Sequence, residues 1–355
     1  MPDTPDPTVL PDAVDLRTGE GGRGGLLDLI PPRYGAGSLA DVLPGVLAAL
    51  GVAGEVDPLG LADGPLAGAR RVVVLLVDGL GYHLLADAAP HAPAIGGVVA
   101  GRYGWLVPAT TGFPSTTPVS LVTLATGAPP GAHGVVGFTV AVPGTDRLLN
   151  HIKWWGPRPG EQASGDGRDG GAVDPYRWQP VPTAFERATR AGVPAVVVNR
   201  AEFAGSGLTV ATYRGADYRP ADGTDPTAAA VVAAVRGIDR GLVYTYHGRV
   251  DHAAHQHGLT SAQWAAAVAD ADRLVAGIAA GLPPDAALLV TADHGALDVP
   301  FDREAPTGGP AAGGARFDLD AAVELTGPAS GLRVLAGEPR VRYAHALPGA
   351  AADLL

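Results

Sequence analysis

Residues 70–81 read RRVVVLLVDGLG. Six successive β-branched or leucine side chains, Val72–Val77, leave no alternation between a wet and a dry face. Such a run marks a strand covered on both faces, the condition of a parallel sheet sandwiched between helices. Three more runs of this kind follow: Pro194–Asn199 (PAVVVN), Leu242–Tyr246 (LVYTY) and Ala287–Ala292 (ALLVTA). Alanine-rich segments with helical spacing alternate with them at Pro182–Ala191, Pro226–Ile238 and Ser261–Ala280, and Ser38–Leu50 has the same spacing with Pro44 inside it. Strands alternating with helices imply βαβ units with right-handed crossovers, and so an α/β chain with a mostly parallel central sheet and helices on both faces. With 355 residues, 46% of them apolar, the chain can bury a sizeable core. Residues 1–25, rich in Pro, Asp and Gly, are expected to form a flexible arm, and 26–355 a single catalytic domain. The polar, glycine-rich stretch Gly156–Tyr176 reads as a linker or a long surface loop.

Three of the four runs end in polar clusters. Val72–Val77 ends in Asp78-Gly79, Leu242–Tyr246 leads into His247 and then Asp251-His252-Ala253-Ala254-His255, and Ala287–Ala292 ends in Asp293-His294-Gly295. In open α/β sheets ligands bind beyond the carboxyl ends of the strands, so these clusters can converge. Asp251 and His255, four apart on a helical turn, share one face and can grip one ion. Taken singly, each cluster also has an ordinary reading: Asp251 as a helix cap, Asp78-Gly79 as a turn.

Between them lies Thr110–Gly127, TTGFPSTTPVSLVTLATG. The spacing predicts a helix over Pro118–Thr126 with Pro118 as its first residue and Thr117 as its N-cap. A hydroxyl there faces the positive end of the helix dipole beside free N–H groups, which suits attack on an anionic phosphate, although threonine is also simply a good cap. Together the parts make a hard-ligand site for two divalent ions. Two ions about 4 Å apart can bind both the attacking and the leaving oxygen of a phosphoryl displacement. Coordination would also supply the activation a threonine hydroxyl needs.

Composition narrows the chemistry. The chain has no cysteine, which excludes disulfides, thiolate zinc sites, iron–sulfur clusters and a cysteine nucleophile. Asp and Glu outnumber Lys and Arg, 36 to 25, for a net charge of −11, which argues against a nucleic-acid or anionic-membrane surface. The start MPDTPDPTVLPDAVDLR has no apolar core of a secretory signal, and no apolar run approaches the ~20 residues of a membrane span. A cytoplasmic location is expected.

The strings VVVLLVDGLG, FPSTTPVSLVTLATGAPPGAHGVVGF, VDHAAHQHG and VTADHG, in this order, resemble the alkaline phosphatase superfamily, and within it the bacterial type I phosphodiesterase / nucleotide pyrophosphatase branch, from about Arg70 to Leu355. The resemblance implies a three-layer alkaline phosphatase-like fold. It also implies two zinc-type sites, with Asp78, Thr117, Asp293 and His294 around one ion and Asp251 and His255 around the other; manganese suits such ligands equally. The family's nucleophile lies nine residues before the Thr of a closing Thr-Gly, which from Thr126 gives Thr117 rather than Thr116. The implied reaction is attack by Thr117 on phosphorus, a phospho-threonine intermediate, and its hydrolysis, on a small phosphorylated substrate such as a nucleotide.

His133, His252 and His257 fall off the ligand positions and are expected in hydrogen bonds to the ligands or in plain loop structure. The family's Gly-X-His-Gly element near the C-terminus, which completes the second ion site, has no counterpart before Leu355, and the only late histidine, His345, sits in a strand-like run. The expectation is therefore a catalytic domain that lacks the family's C-terminal segment, or a weakly held second ion. An Asn used by eukaryote-like members to hold phosphate is missing from His133–Phe138; N–H groups of Thr117 and Val119, or Asn150, would take its task. Trp154-Trp155 and Trp178 are either a slot that stacks a base or half-buried packing. Phosphate monoesterase and an inactive binding relative are the alternative functions. A sulfatase is disfavoured by the lack of a Cys/Ser-X-Pro-X-Arg string.

Overall fold

The computed structural model describes residues 14–15, 28–145, 147–154, 173–298, 331–338 and 341–354. Strands Arg71–Val77 (β1), Thr139–Ala141 (β2), Leu148–Asn150 (β3), Ala195–Asn199 (β4), Asp217–Pro220 (β5), Gly241–His247 (β6), Ala286–Thr291 (β7), Leu332–Gly337 (β8) and Arg342–Ala346 (β9) form two sheets. Separately, Val14–Asp15 pairs antiparallel with Asp28–Leu29. The chain divides into two compact units, Met1–Val136 with Val173–Ala296, and Gly137–Ala172 with Leu297–Leu355.

The first unit holds a parallel sheet in the order β5-β4-β6-β1-β7. Successive side chains of a strand face opposite ways, and the core divides accordingly. Val72, Val74 and Leu76 pack with Leu43, Leu47, Leu124 and Phe185 of Val42–Ala49 (α1), Thr117–Thr126 (α2) and Ala184–Arg190 (α3). Val73, Leu75 and Val77 pack on the other side with Val231, Val250, Val268, Leu274 and Ile278 of Thr224–Arg236 (α4), Arg249–His257 (α5) and Ala262–Gly281 (α6). The six side chains Val72–Val77 of β1 are essentially inaccessible, and each such Val or Leu stabilises the fold by roughly 1.5–3 kcal/mol. This is the expected three-layer α/β architecture, and all four predicted strand runs are strands of its sheet. The predicted helix at Ser261 is capped by the Ser261 hydroxyl, which accepts from Trp264 N.

The start of α2 differs by one residue from the expected helix. Thr116, extended at φ −136° and ψ 147°, is the N-cap, its carbonyl accepts from Ser120 N at 3.0 Å, and Thr117 is the first helical residue. Pro118 does not discriminate between the two registers, because neither of the first two helical N–H groups has an intrahelical partner to lose. At the far end Gly127 takes the left-handed conformation (φ +70°) and closes the helix.

The second unit contains the antiparallel sheet β9-β8-β2-β3. Beyond β3, His151 is fully buried, with Nδ1 2.7 Å from the Gly137 carbonyl and its ring 5.5 Å from that of Trp154. Burial pushes its imidazole down to about 4, partly opposed by the Gly137 bond. A histidine lowered on folding stabilises the protein above its unfolded pKa and loses that contribution as pH falls toward the folded value. Between pH 7 and 4 the wild type should therefore lose roughly 3 kcal/mol more stability than His151→Asn. Urea unfolding across that range measures the difference, and parallel pH profiles would refute it.

Candidate active site

The pairing register builds the site. β1 lies between β6 and β7, with Val77 opposite His247 and Leu76 opposite Thr291, so Asp78, the start of α5 and Asp293 emerge at one sheet edge. Backbone bonds fasten the edge: Asp78 N donates to the His247 carbonyl (2.9 Å), and Asp251 N to the Asp78 carbonyl (3.1 Å). Gly79 N and His294 N both donate to Asp293 Oδ1 at 3.0 Å. Two glycines allow this approach. Gly79 has φ +74°, and a Cβ there would lie 2.8 Å from the Asp251 Cβ; one at Gly81 would lie 2.6 Å from the Gly295 Cα.

Asp78, Asp293 and His294 are buried, Thr117 and Asp251 half-buried and His255 exposed. The Thr117 hydroxyl lies 3.2 Å from His294 Nε2 and 3.5 Å from Asp78 Oδ1. His294 Nε2 is also 3.5 Å from Asp78 Oδ1 and 3.4 Å from Asp293 Oδ2. One ligand atom each from Asp78, Asp251 and His294 fall within 4.8 Å of one another, and His255 Nε2 is 3.4 Å from Asp251 Oδ2. The six residues singled out in the sequence are thus neighbours within the first unit. Burial, then the charges of Asp293 and Asp251, hold the Asp78 carboxyl well above the usual carboxylate range.

The donor set fits a divalent cation. His294 Nδ1 lies 2.9 Å from the Gly295 carbonyl, which can only accept, so the hydrogen sits on Nδ1 and the Nε2 lone pair points at two carboxylates. Asp293 Oδ2 is fully buried and has no hydrogen-bond partner among the described residues. Lone pairs gathered without donors are costly unless a cation joins them. Oxygen and imidazole ligands suit zinc or manganese alike.

Three contributors escaped the sequence reading. Tyr246, the penultimate residue of β6, donates its hydroxyl to Asp78 Oδ2, and burial and the Asp78 charge push the phenol up, keeping it a donor. Thr111 donates to the Asp293 carbonyl, and its Oγ1 lies 3.1 Å from that of Ser120 in α2. Because the Thr111 hydrogen goes to a carbonyl, Ser120 is the donor in that pair. The chain Ser120–Thr111–Asp293 ties the Thr117 helix to the Asp293-His294 turn. No local pattern distinguishes such hydroxyls; an accumulation of Thr and Ser in TTGFPSTTPVS is the only trace.

Other candidates fall elsewhere. His133 is buried as the last residue of the short helix Pro130–His133, 3.0 Å from Thr123 Oγ1 and 3.2 Å from Val135 N. His252 and His257 are exposed on α5. Trp178 packs against Val119, Val122 and Val135, and so takes the packing role. Trp154, Asn150 and His345 belong to the second unit, where Asn150 Oδ1 accepts from Ile152 N and Lys153 N and His345 lies in β9. Trp155 and residues 156–172 of the glycine-rich stretch lie outside the described residues. No helix among the described residues is long and apolar enough to cross a membrane.

No curated protein matches the chain. Among solved structures, phosphonoacetate hydrolase from Sinorhizobium meliloti 1021 in complex with phosphonoformate is 19% identical with a TM-score of 0.44, over 64% of this chain and 57% of that one. Murine ectonucleotide pyrophosphatase / phosphodiesterase 5 is 19% identical with a TM-score of 0.48, over 63% and 57%. Its complex with AMP gives 18% and 0.46, over 64% and 57%. The chain thus spans less than two thirds of the length of these proteins. The model of one family, described as type I phosphodiesterase / nucleotide pyrophosphatase, matches residues 72–311, more than half of the chain. That span begins inside β1 and runs past the Asp293-His294 turn, and by it the chain belongs to the type I phosphodiesterase / nucleotide pyrophosphatase family.

Proposed function

We propose that the protein is a metal-dependent hydrolase of phosphodiester or nucleotide pyrophosphate bonds, with Thr117 as nucleophile. The observation that carries this reading is the Thr117 hydroxyl 3.2 Å from His294 Nε2 and 3.5 Å from Asp78 Oδ1, with Asp293 Oδ2, buried and without a hydrogen-bond partner among the described residues, 3.4 Å from the same His294 nitrogen. Asp78, Asp293 and His294 would hold one divalent ion with Thr117, and Asp251 and His255 the other; such ions lower the pKa of an attacking hydroxyl and neutralise charge on the transferring phosphoryl group. Thr117 Oγ1 gives up its proton to solvent and forms a bond to phosphorus as the bond to the leaving oxygen breaks, and the departing oxygen takes up a proton from solvent. Water then cleaves the phospho-threonine, returning the hydroxyl and releasing the second product. The N-terminus of α2, with the Thr117 and Val119 N–H groups, offers dipole and donors to the phosphate oxygens. Tyr246 keeps Asp78 Oδ2 engaged and so leaves Oδ1 toward Thr117. A small phosphorylated substrate, such as a nucleotide, is in keeping with the net charge of −11, which disfavours long polyanions.

Metal-stripped protein reloaded with zinc or manganese should release nitrophenol from bis-(p-nitrophenyl) phosphate, and faster than from p-nitrophenyl phosphate. A preference for the monoester would move the assignment to a phosphatase. Near-zero bound metal together with no release from either compound would end the hydrolase reading.

A further inference from the structure

A buried carboxylate that this reaction does not use lies beside the strand-to-helix junction that delivers Asp251. Asp270, in α6, has a side chain only 8% exposed. It collects four donors from four elements, its own helix among them. Oδ1 accepts from Thr224 Oγ1, in the first residue of α4, at 2.8 Å, and from the Arg273 guanidinium one turn along α6. Oδ2 accepts from His247 Nε2 at 3.2 Å and from Arg249 Nη1 at 3.1 Å. His247 ends β6 and Arg249 begins α5, with Gly248 alone between them. One oxygen therefore holds both sides of a one-residue junction. Asp251 is the third residue of the helix so anchored, and His255 follows a turn later. The other side of His247 is fastened to the site, since its carbonyl takes the Asp78 N–H.

We propose that Asp270 is a positioning residue that sets how α5 leaves β6, and through it the reach of Asp251 and His255 toward the second ion. The inference rests on the two-ion reading above. An ion pair that only glued helices together would serve equally well anywhere between α4 and α6. This one spends half of its acceptor capacity on the two residues that flank Gly248. A carboxylate buried at this depth is costly without its donors, so the junction cannot shift without breaking bonds that the surroundings do not replace. Groups that orient metal ligands without touching the ion typically change affinity by about 10–100-fold when removed.

The test is a calorimetric titration of metal-stripped full-length protein with zinc, alongside thermal unfolding. Asp251→Ala identifies which binding event belongs to the second ion. Asp270→Asn should weaken that event about tenfold or more and leave the other unchanged. In the Asp251→Ala background it should then have no further effect on binding, the non-additivity expected of residues that act through one another. If Asp270→Asn fails to fold, Arg249→Met decides the matter: its side chain is 72% exposed, so the fold should tolerate the change, and a smaller loss confined to the same ion is expected. Equal weakening of both events in step with a lower Tm, or unchanged affinities, would overturn the positioning role while leaving the hydrolase intact. Wild-type protein that takes up no ion would overturn both.

Discussion

Thr117→Ala is expected to lower turnover by at least about a thousandfold, since a nucleophile acts as a unit with its activators and its loss is not shared out among them. The variant should retain part of its metal, because Asp78, Asp293 and His294 remain as the other proposed ligands of the first ion. Thr116→Ala should do much less. Thr116 is the extended cap of α2, 7% exposed, and its side chain makes no cap hydrogen bond. The shift of the helix start by one residue leaves this ranking intact, because the Thr117 hydroxyl is the one in contact with Asp78 and His294. Steady-state assays with metal analysis of both variants check it; an inactive Thr116→Ala beside an active Thr117→Ala would place the nucleophile one residue earlier.

Asp293→Asn is expected to separate folding from ion binding. Asp293 Oδ1 accepts from the N–H groups of Gly79 and His294, so an amide here must keep its oxygen in that position. The nitrogen then replaces Oδ2, presenting hydrogens where the cation needs a lone pair. The variant should bind one ion fewer and lose activity on the order of a thousandfold, the rate equivalent of several kcal/mol of charge stabilisation. Metal-free, it should be at least as stable as the wild type, since the charge that helps to raise the Asp78 carboxyl is gone. Full metal occupancy in this variant would remove Asp293 from the ligand set; a metal-free protein that melts well below the wild type would show its role to be architectural.

Much of the first unit was legible because β1, β4 and β6 are buried on both faces, and such runs as Val72–Val77 admit few other structures. The edge strand β5 was not. Its residues, Asp217-Tyr218-Arg219-Pro220, are largely exposed and paired on one side only, so they carry neither an apolar run nor a clean alternation. The antiparallel sheet of the second unit was missed for a related reason: β2 and β3 have three residues each, too few to show a period. At the site, the ligands stood out because they interrupt apolar runs at strand ends. Tyr246 did not, since an aromatic inside LVYTY is what a strand ordinarily contains. Asp270 was hidden in the alanine-rich pattern of α6, where a single acid reads as part of a solvated face until the packing of a distant loop against it is seen.

Asp78 and Asp293 follow the ends of the adjacent parallel strands β1 and β7, and Asp251 lies in α5, which follows β6 on the other side of β1. Neighbouring strands are spaced about 4.8 Å apart by their peptide hydrogen bonds. The spacing of the strand ends beneath the proposed ion site is thereby a property of the peptide group, the same for every sequence that forms this sheet. Side-chain replacement can empty a proposed ion position, or alter its reach through the junctions above the strands, but it cannot widen the spacing of the strands themselves. New specificity on such a scaffold has to be written into the segments and junctions beyond the strand ends, while the ladder beneath them stays fixed.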